Sequence, residues 1–138
     1  MIVYVLDACA VTAFKDEEDG SHVVCSIIES ASKADVKIIM NKINLFEVYY
    51  DKRRTFGKNH ADRLIKAVKQ LPIEIISEIS DELFEEAGRI KASYKVSLAD
   101  SIAIAQASIS GGTLVTADHH EMDKIEQTEK NINFFWLR

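Results

Sequence analysis

The chain has 138 residues, 47% of them hydrophobic and 28% charged, which fits a globular chain of one domain (residues 1–138) and excludes a disordered one. Five glycines and one proline are too few for a many-turned all-β or linker-rich chain and favour helix. A net charge of −5 and a pI of about 5.4 argue against a protein that coats nucleic acid non-specifically.

Ile2 to Leu6 is a short β-branched run of the kind buried on both faces of a parallel sheet. Ala8 to Phe14 predicts a short helix, and Lys15 to Gly20 a solvated loop. Between Ser21 and Ala34, Val23, Val24, Ile27, Ile28 and Ala31 recur at helical spacing. Lys37 to Met40 is the second strand, and Ile43 to Phe56 a helix that Gly57 stops. A fourth helix carries Ala61, Leu64, Ile65, Val68 and Leu71 on one face until Pro72 ends it, and Ile73 to Ile76 forms a third strand. Leu83, Ala87, Ile90 and Tyr94 mark a fifth helix; Leu98, Ile102, Ala105 and Ile109 mark a sixth, closed by Gly111 and Gly112. Thr113 to Thr116 is a fourth strand, followed by a short acidic helix and by Asn133 to Trp136 as an edge strand. This alternation predicts an α/β fold: a mainly parallel sheet of four to five strands with helices on both faces.

Cys9 and Cys25 form neither a C-x-x-C pair nor zinc-type spacing, so a disulfide framework is not expected and a reducing cytoplasm is the simplest home. Met1 to Leu6 lacks the basic start and long apolar run of a secretory leader. No stretch approaches the roughly 20 apolar residues of a membrane span, so no membrane association is expected.

Ligands of open α/β sheets bind beyond the carboxyl ends of the strands. Asp7 follows the first strand directly, Asp118 lies two residues past the fourth, Glu47 lies early in the helix after the second, and Asp100 opens the sixth helix. Four carboxylates at one end of a sheet raise each other's pKa unless a counter-charge is present. A divalent cation removes that conflict, and an all-oxygen donor set suits Mg²⁺ or Mn²⁺, the ions of phosphoryl chemistry.

Each acid also has a purely structural explanation. Asp7 can cap the helix after it, Ser97 to Asp100 matches the S-x-x-[DE] capping box, and Asp118 to Glu121 imitates one. Glu47, set between Phe46 and Val48-Tyr49-Tyr50, is a charge in an apolar stretch that needs a partner. His119 and His120 are adjacent, so both cannot easily serve one ion. Cys9 reads as a small buried residue, since no partnered histidine is evident. From Asp51 to Gln70, seven Lys/Arg face two acids, giving that segment +5 and the remainder −10. It is either a solvated helix face or a positive strip, with Arg53, Arg54 and Lys58 at its head, that holds a nucleic-acid backbone or an acidic segment of a partner.

Val5-Leu6-Asp7-Ala8-Cys9-Ala10, Asn44-Leu45-Phe46-Glu47-Val48, Leu98-Ala99-Asp100-Ser101-Ile102-Ala103 and Leu114-Val115-Thr116-Ala117-Asp118 resemble, in order and spacing, the PIN-domain family. The nearest branch is that of the small VapC-like toxin ribonucleases of toxin–antitoxin pairs, and the likeness runs from Ile2 to about Asp123. The resemblance implies a PIN-like three-layer sandwich and an endoribonuclease dependent on Mg²⁺ or Mn²⁺. Asp7, Glu47, Asp100 and Asp118 match the family's acidic quartet. Asp7, Asp100 and Asp118 would hold metal, with Glu47 ligating it or orienting the attacking water. Thr116 matches a supporting hydroxyl position, whereas Cys9 departs from the usual Ser or Thr and loses a hydroxyl near the metal. Glu121 and Asp123 extend the acidic end. The resemblance also implies an RNA substrate, a small antitoxin partner and a homodimer, for which Tyr49, Tyr50 and Phe56 offer aromatic surface.

Two other readings are weaker. A non-catalytic PIN-like module that binds RNA or protein would be signalled by an incomplete quartet, and this quartet is complete. A phospho-receiver domain needs paired acids after its first strand and a Lys after a late one; Asp7 stands alone and no Lys follows Thr116.

Overall fold

The computed structural model describes Met1–Arg138. Its strands are β1 (Ile2–Leu6), β2 (Val36–Asn41), β3 (Glu74–Ile76), β4 (Thr113–Thr116) and β5 (Asn133–Trp136). They form one sheet in the order β3-β2-β1-β4-β5, and every neighbouring pair is parallel. The helices are α1 (Ala8–Lys15), α2 (Ser21–Ser30), α3 (Lys42–Phe56), α4 (Lys58–Lys69), α5 (Asp81–Ser93), α6 (Leu98–Ser110) and α7 (His119–Thr128).

Side chains of a strand alternate between its two faces, and the sheet divides its apolar residues accordingly. Leu6, Ile38, Met40 and Val115 pack with Ala10, Val24, Leu45, Val48, Leu64 and Val68 of α1 to α4. Val5, Ile39 and Leu114, aligned across three strands, pack on the opposite face with Ile90, Ala103, Ile104, Met122 and Ile125 of α5, α6 and α7. The expected three-layer α/β architecture is therefore present, and all five strands are parallel. No helix is long and apolar enough to cross a membrane.

Boundaries differ from the sequence expectation in two places. The second helix stops at Ser30 instead of Ala34: only the small Ala34 is apolar between Ala31 and Val36, and the Ser30 and Ser32 hydroxyls donate to the carbonyls of Ile27 and Glu29 at 2.5 and 3.0 Å, replacing further helical turns. The third strand starts at Glu74, because Ile73 closes a turn by donating its amide to the Leu71 carbonyl at 2.7 Å.

Gly20 links the loop after α1 to the segment after β5. Its φ is +93°, and a Cβ there would lie 2.7 Å from Leu137 Cβ and 2.8 Å from the Leu137 carbonyl oxygen. Left-handed backbone and backbone contact together leave room only for glycine. Gly20→Ala is expected to lower stability by about 1–3 kcal/mol, visible as a lower denaturant midpoint at unchanged slope.

Candidate active site

The chain leaves β1 for β2 on one side and returns to β4 on the other, so the carboxyl ends of β1 and β4 flank the point where strand order reverses. Asp7 follows β1 and Asp118 lies just past β4, while the second turn of α3 and the first turn of α6 bring Glu47 and Asp100 to the same end. Glu47, Asp100 and Asp118 line a cavity of about 300 Å³ together with Ala8 and Cys9. Asp7 is buried next to it, at 1% exposure.

The capping explanation and the clustering both hold, because capping uses one oxygen and leaves the other. Asp7 Oδ1 accepts from the Ala10 amide at 2.9 Å at the start of α1. Asp118 Oδ1 accepts from the Glu121 amide at 3.2 Å at the start of α7. Ser97 Oγ caps α6 by accepting from the Asp100 amide at 3.2 Å, which frees the Asp100 carboxylate for the cavity. Each cap fixes a backbone turn, so the caps aim the carboxylates, and the helix N-termini offset part of their charge. Thr116 is fully buried, and its hydroxyl oxygen accepts from the Asp118 amide at 3.1 Å, which holds the turn after β4.

Burial pushes the Asp7 carboxyl up to about 7; the charges of Asp118 and Glu47 add to the rise, and the Thr116 hydroxyl and Ala10 amide oppose it. Asp100 is raised by burial and then by Asp118, Asp7 and Glu47. Glu47, half-buried, is raised by burial, Asp118, Asp51 and Glu121. No cation pairs with any of the four. Burial and the same acids push the Cys9 thiol up to about 12, so it is protonated and unreactive at neutral pH.

Ligand oxygens of Asp100, Asp118 and Glu121 lie within 4.8 Å of one another. Asp7 Oδ2 is buried with no hydrogen-bond partner. A hard divalent cation is the group that such an all-oxygen set fits. Glu47 is outside the close trio although it shares the cavity, and Glu121 is inside it. The available signal for Glu121 was its place three residues after the Asp118 cap, which puts both side chains on one side of the first turn.

Both ring nitrogens of His119 are engaged, Nδ1 by Asp123 Oδ1 and Nε2 by the main-chain oxygen of Arg138, each at 2.7 Å. Its ring stacks on Trp136 at 3.9 Å. It holds the segment after β5 in place and has no lone pair left for a metal; its partner Asp123 stands outside the close trio. His120 lines a separate cleft with Tyr94 and Lys124. Arg53, Arg54 and Lys58 do not line the acidic cavity. Arg54 pairs with Asp51 at 3.3 Å, Lys58 pairs with Asp62 at 2.5 Å, and Arg53 donates to the Tyr49 hydroxyl at 3.0 Å. Lys52, counted in the same strip, is 5% exposed and bound to Asp16, so the strip is not one continuous solvated face.

The PIN domain family model matches residues 4–127. No curated protein matches the sequence. Among solved structures, VapBC2 from Rickettsia felis, bound to a DNA fragment from its promoter, is similar with a TM-score of 0.74 at 17% identity, over 97% of this chain and 98% of that one. VapC20 from Mycobacterium tuberculosis, a sarcin-ricin loop cleaving toxin, gives 0.66 at 15% identity over 88% and 94%. VapBC-5 from the same organism, a member of the VapBC family of toxin–antitoxin systems, gives 0.62 at 14% identity over 99% of each chain. At these identities the likeness is one of fold.

Proposed function

The chain belongs to the PIN domain family, and from that premise we propose that it is an endoribonuclease dependent on Mg²⁺ or Mn²⁺ and the toxin of a toxin–antitoxin pair. The observation that carries the reading is Asp7 Oδ2, buried without a partner beside the converging carboxylates of Asp100, Asp118 and Glu121. Buried anions without counter-charge are costly, and a fold that keeps several together is built for a cation.

Asp100, Asp118 and Glu121 would hold the ion, with the unpartnered Asp7 Oδ2 as a further donor. When bound, a divalent ion supplies Lewis acidity toward a phosphoryl oxygen. Glu47, in the cavity wall and half-buried with a raised pKa, orients the attacking water and accepts its proton. Thr116 keeps the Asp118 turn in register. The sarcin-ricin loop cleaved by VapC20 supports an RNA substrate, and the toxin–antitoxin systems among the structural neighbours support a small antitoxin partner. Exposed Phe46, Tyr50 and Phe56 along α3 support a homodimer.

The test combines calorimetric titration of the metal-free protein with Mn²⁺ or Mg²⁺ and gel analysis of RNA cleavage. Saturable binding and cleavage that stops in EDTA are expected. Cleavage undiminished in EDTA overturns the metal-dependent mechanism. Metal binding with no cleavage of any cellular RNA overturns the enzyme and favours a PIN-like binding module.

A further inference from the structure

The acidic cavity is lined by Glu18, Glu47, Asp51, Asp100 and Asp118 against a single cation, Arg138. A polyanionic strand entering it meets five carboxylates, of which one divalent ion compensates only part. Arg138 is held in place by contacts from three directions. The Leu137 amide donates at 2.9 Å to the carbonyl of Thr116, the last residue of β4. The main-chain oxygen of Arg138 meets His119 Nε2 at 2.7 Å, and its Nη1 donates to the Asp19 carbonyl at 2.6 Å. Gly20 admits Leu137 by having no side chain. This anchoring lowers the ordering cost of the guanidinium, the main penalty on a surface arginine that must hold a ligand.

The fork itself is not saturated. Nη2 lies 3.7 Å from Glu18 Oε1, and the side chain stays 43% exposed; at that distance the pair is ionic and not a hydrogen bond. Arginine carries five donors in a plane that matches two phosphate oxygens. Arg53, Arg54 and Lys58, the cations of the basic strip read from the sequence, lie outside this cavity.

We propose that Arg138 is a substrate-binding residue that takes a phosphodiester group of the RNA strand flanking the scissile one, with Glu18 as the counter-ion which that phosphate displaces. The proposal rests on the ribonuclease reading above. It differs from a purely structural tie between the loop before α2 and the segment after β5 in one decisive respect: the two partners have opposite effects. Removing Arg138 weakens RNA binding, whereas neutralising Glu18 frees the guanidinium and strengthens it.

The experiment measures fluorescence anisotropy of a labelled, degenerate-sequence single-stranded RNA of about 20 nucleotides with the full-length protein. Ca²⁺ replaces Mg²⁺ to hold back scission, and salt is varied. Arg138→Ala is expected to weaken binding about tenfold and to flatten the dependence of log affinity on log salt by about 0.7, the share of one phosphate contact on a single strand. Arg138→Lys should retain most of the salt dependence with part of the affinity, and Glu18→Gln should tighten binding. Thermal midpoints of all three variants are read alongside. Arg138→Ala with the parent's affinity and salt slope overturns the proposal. So does Glu18→Gln that weakens binding in step with Arg138→Ala and with a matching loss of thermal stability, the signature of a structural tie. A parent protein that neither binds this RNA nor cleaves RNA in Mg²⁺ overturns the ribonuclease reading itself, and with it this one.

Discussion

Asp100→Asn is expected to lower Mg²⁺-supported RNA cleavage on the order of 10³-fold or more while the folded protein becomes more stable at neutral pH. The substitution keeps shape and removes an ionisable group whose charged form is disfavoured by burial and by Asp118, Asp7 and Glu47. The helix start is unaffected, because α6 is capped by Ser97 Oγ through the Asp100 amide and not through its carboxylate. Asp7→Asn should behave alike, since the amide oxygen still accepts from the Ala10 amide and α1 keeps its cap. Initial cleavage rates with a fixed RNA, together with denaturant midpoints, separate the two effects. A pure Asp100→Asn protein that cuts at the parent's rate would end the assignment, and a loss of stability equal to that of a core deletion would show that the carboxylate is structural.

The second large effect is a pH dependence whose sign is unusual for a carboxylate. The folded-state pKa of Asp7 is about 7 against an ordinary 3.8, so between those values the folded chain binds a proton that the unfolded chain releases. Stability of the metal-free protein therefore falls as pH rises through that window, by up to about 4 kcal/mol from this group. Glu86 and Glu129 act oppositely. Their pKa values are held low by Arg89, which they contact at 2.7 and 2.9 Å, and their contribution is lost as pH falls below the ordinary value of 4.5. The metal-free protein should be most stable at about pH 4 to 5, where the two opposing windows meet. Mg²⁺ should raise the thermal midpoint clearly at pH 7.5 and little at pH 5, where Asp7 and Asp100 already carry protons. Asp7→Asn should make the profile less steep above pH 5, the remaining fall coming from Asp100. Thermal scans from pH 4 to 8 with and without Mg²⁺ decide it; a midpoint that climbs steadily to pH 8 without metal would contradict the burial of an unpaired Asp7.

The asymmetry between the acids follows from where each sits. Asp7 is the most enclosed, with one oxygen committed to a helix start and the other unpartnered, so it senses burial above all. Glu47, half-buried in α3, keeps access to water. One deeply buried acid, two at helix starts and one at the cavity wall place chemically similar groups in different environments, the condition under which carboxylates can take different roles.

Sequence alone determined the elements and the acids' common end. Apolar period decides strand from helix locally, and the β-branched runs at Ile2–Leu6 and Thr113–Thr116 required burial on both faces. A residue that directly follows a parallel strand can stand only at its carboxyl end, which placed Asp7 and Asp118 before any packing was known. Capping patterns at Ser97 and Asp118 were equally local. The tertiary structure decided which distant groups meet. The strand order β3-β2-β1-β4-β5 sets α3 and α6 beside the ends of β1 and β4, and it buries Asp7 to the point where its pKa moves. Helix phase after the Asp118 cap carried Glu121 into the acid trio, while local pairing with Asp51 and Asp62 bound Arg54 and Lys58 outside the cavity. Arg138 became the cavity's cation because β5 adds in parallel beside β4 and delivers the residues that follow it to the same end as the acids. Periodicity is a property of neighbours along the chain, whereas charge and burial at a site are set by segments a hundred residues apart, and only packing across the sheet brings those together.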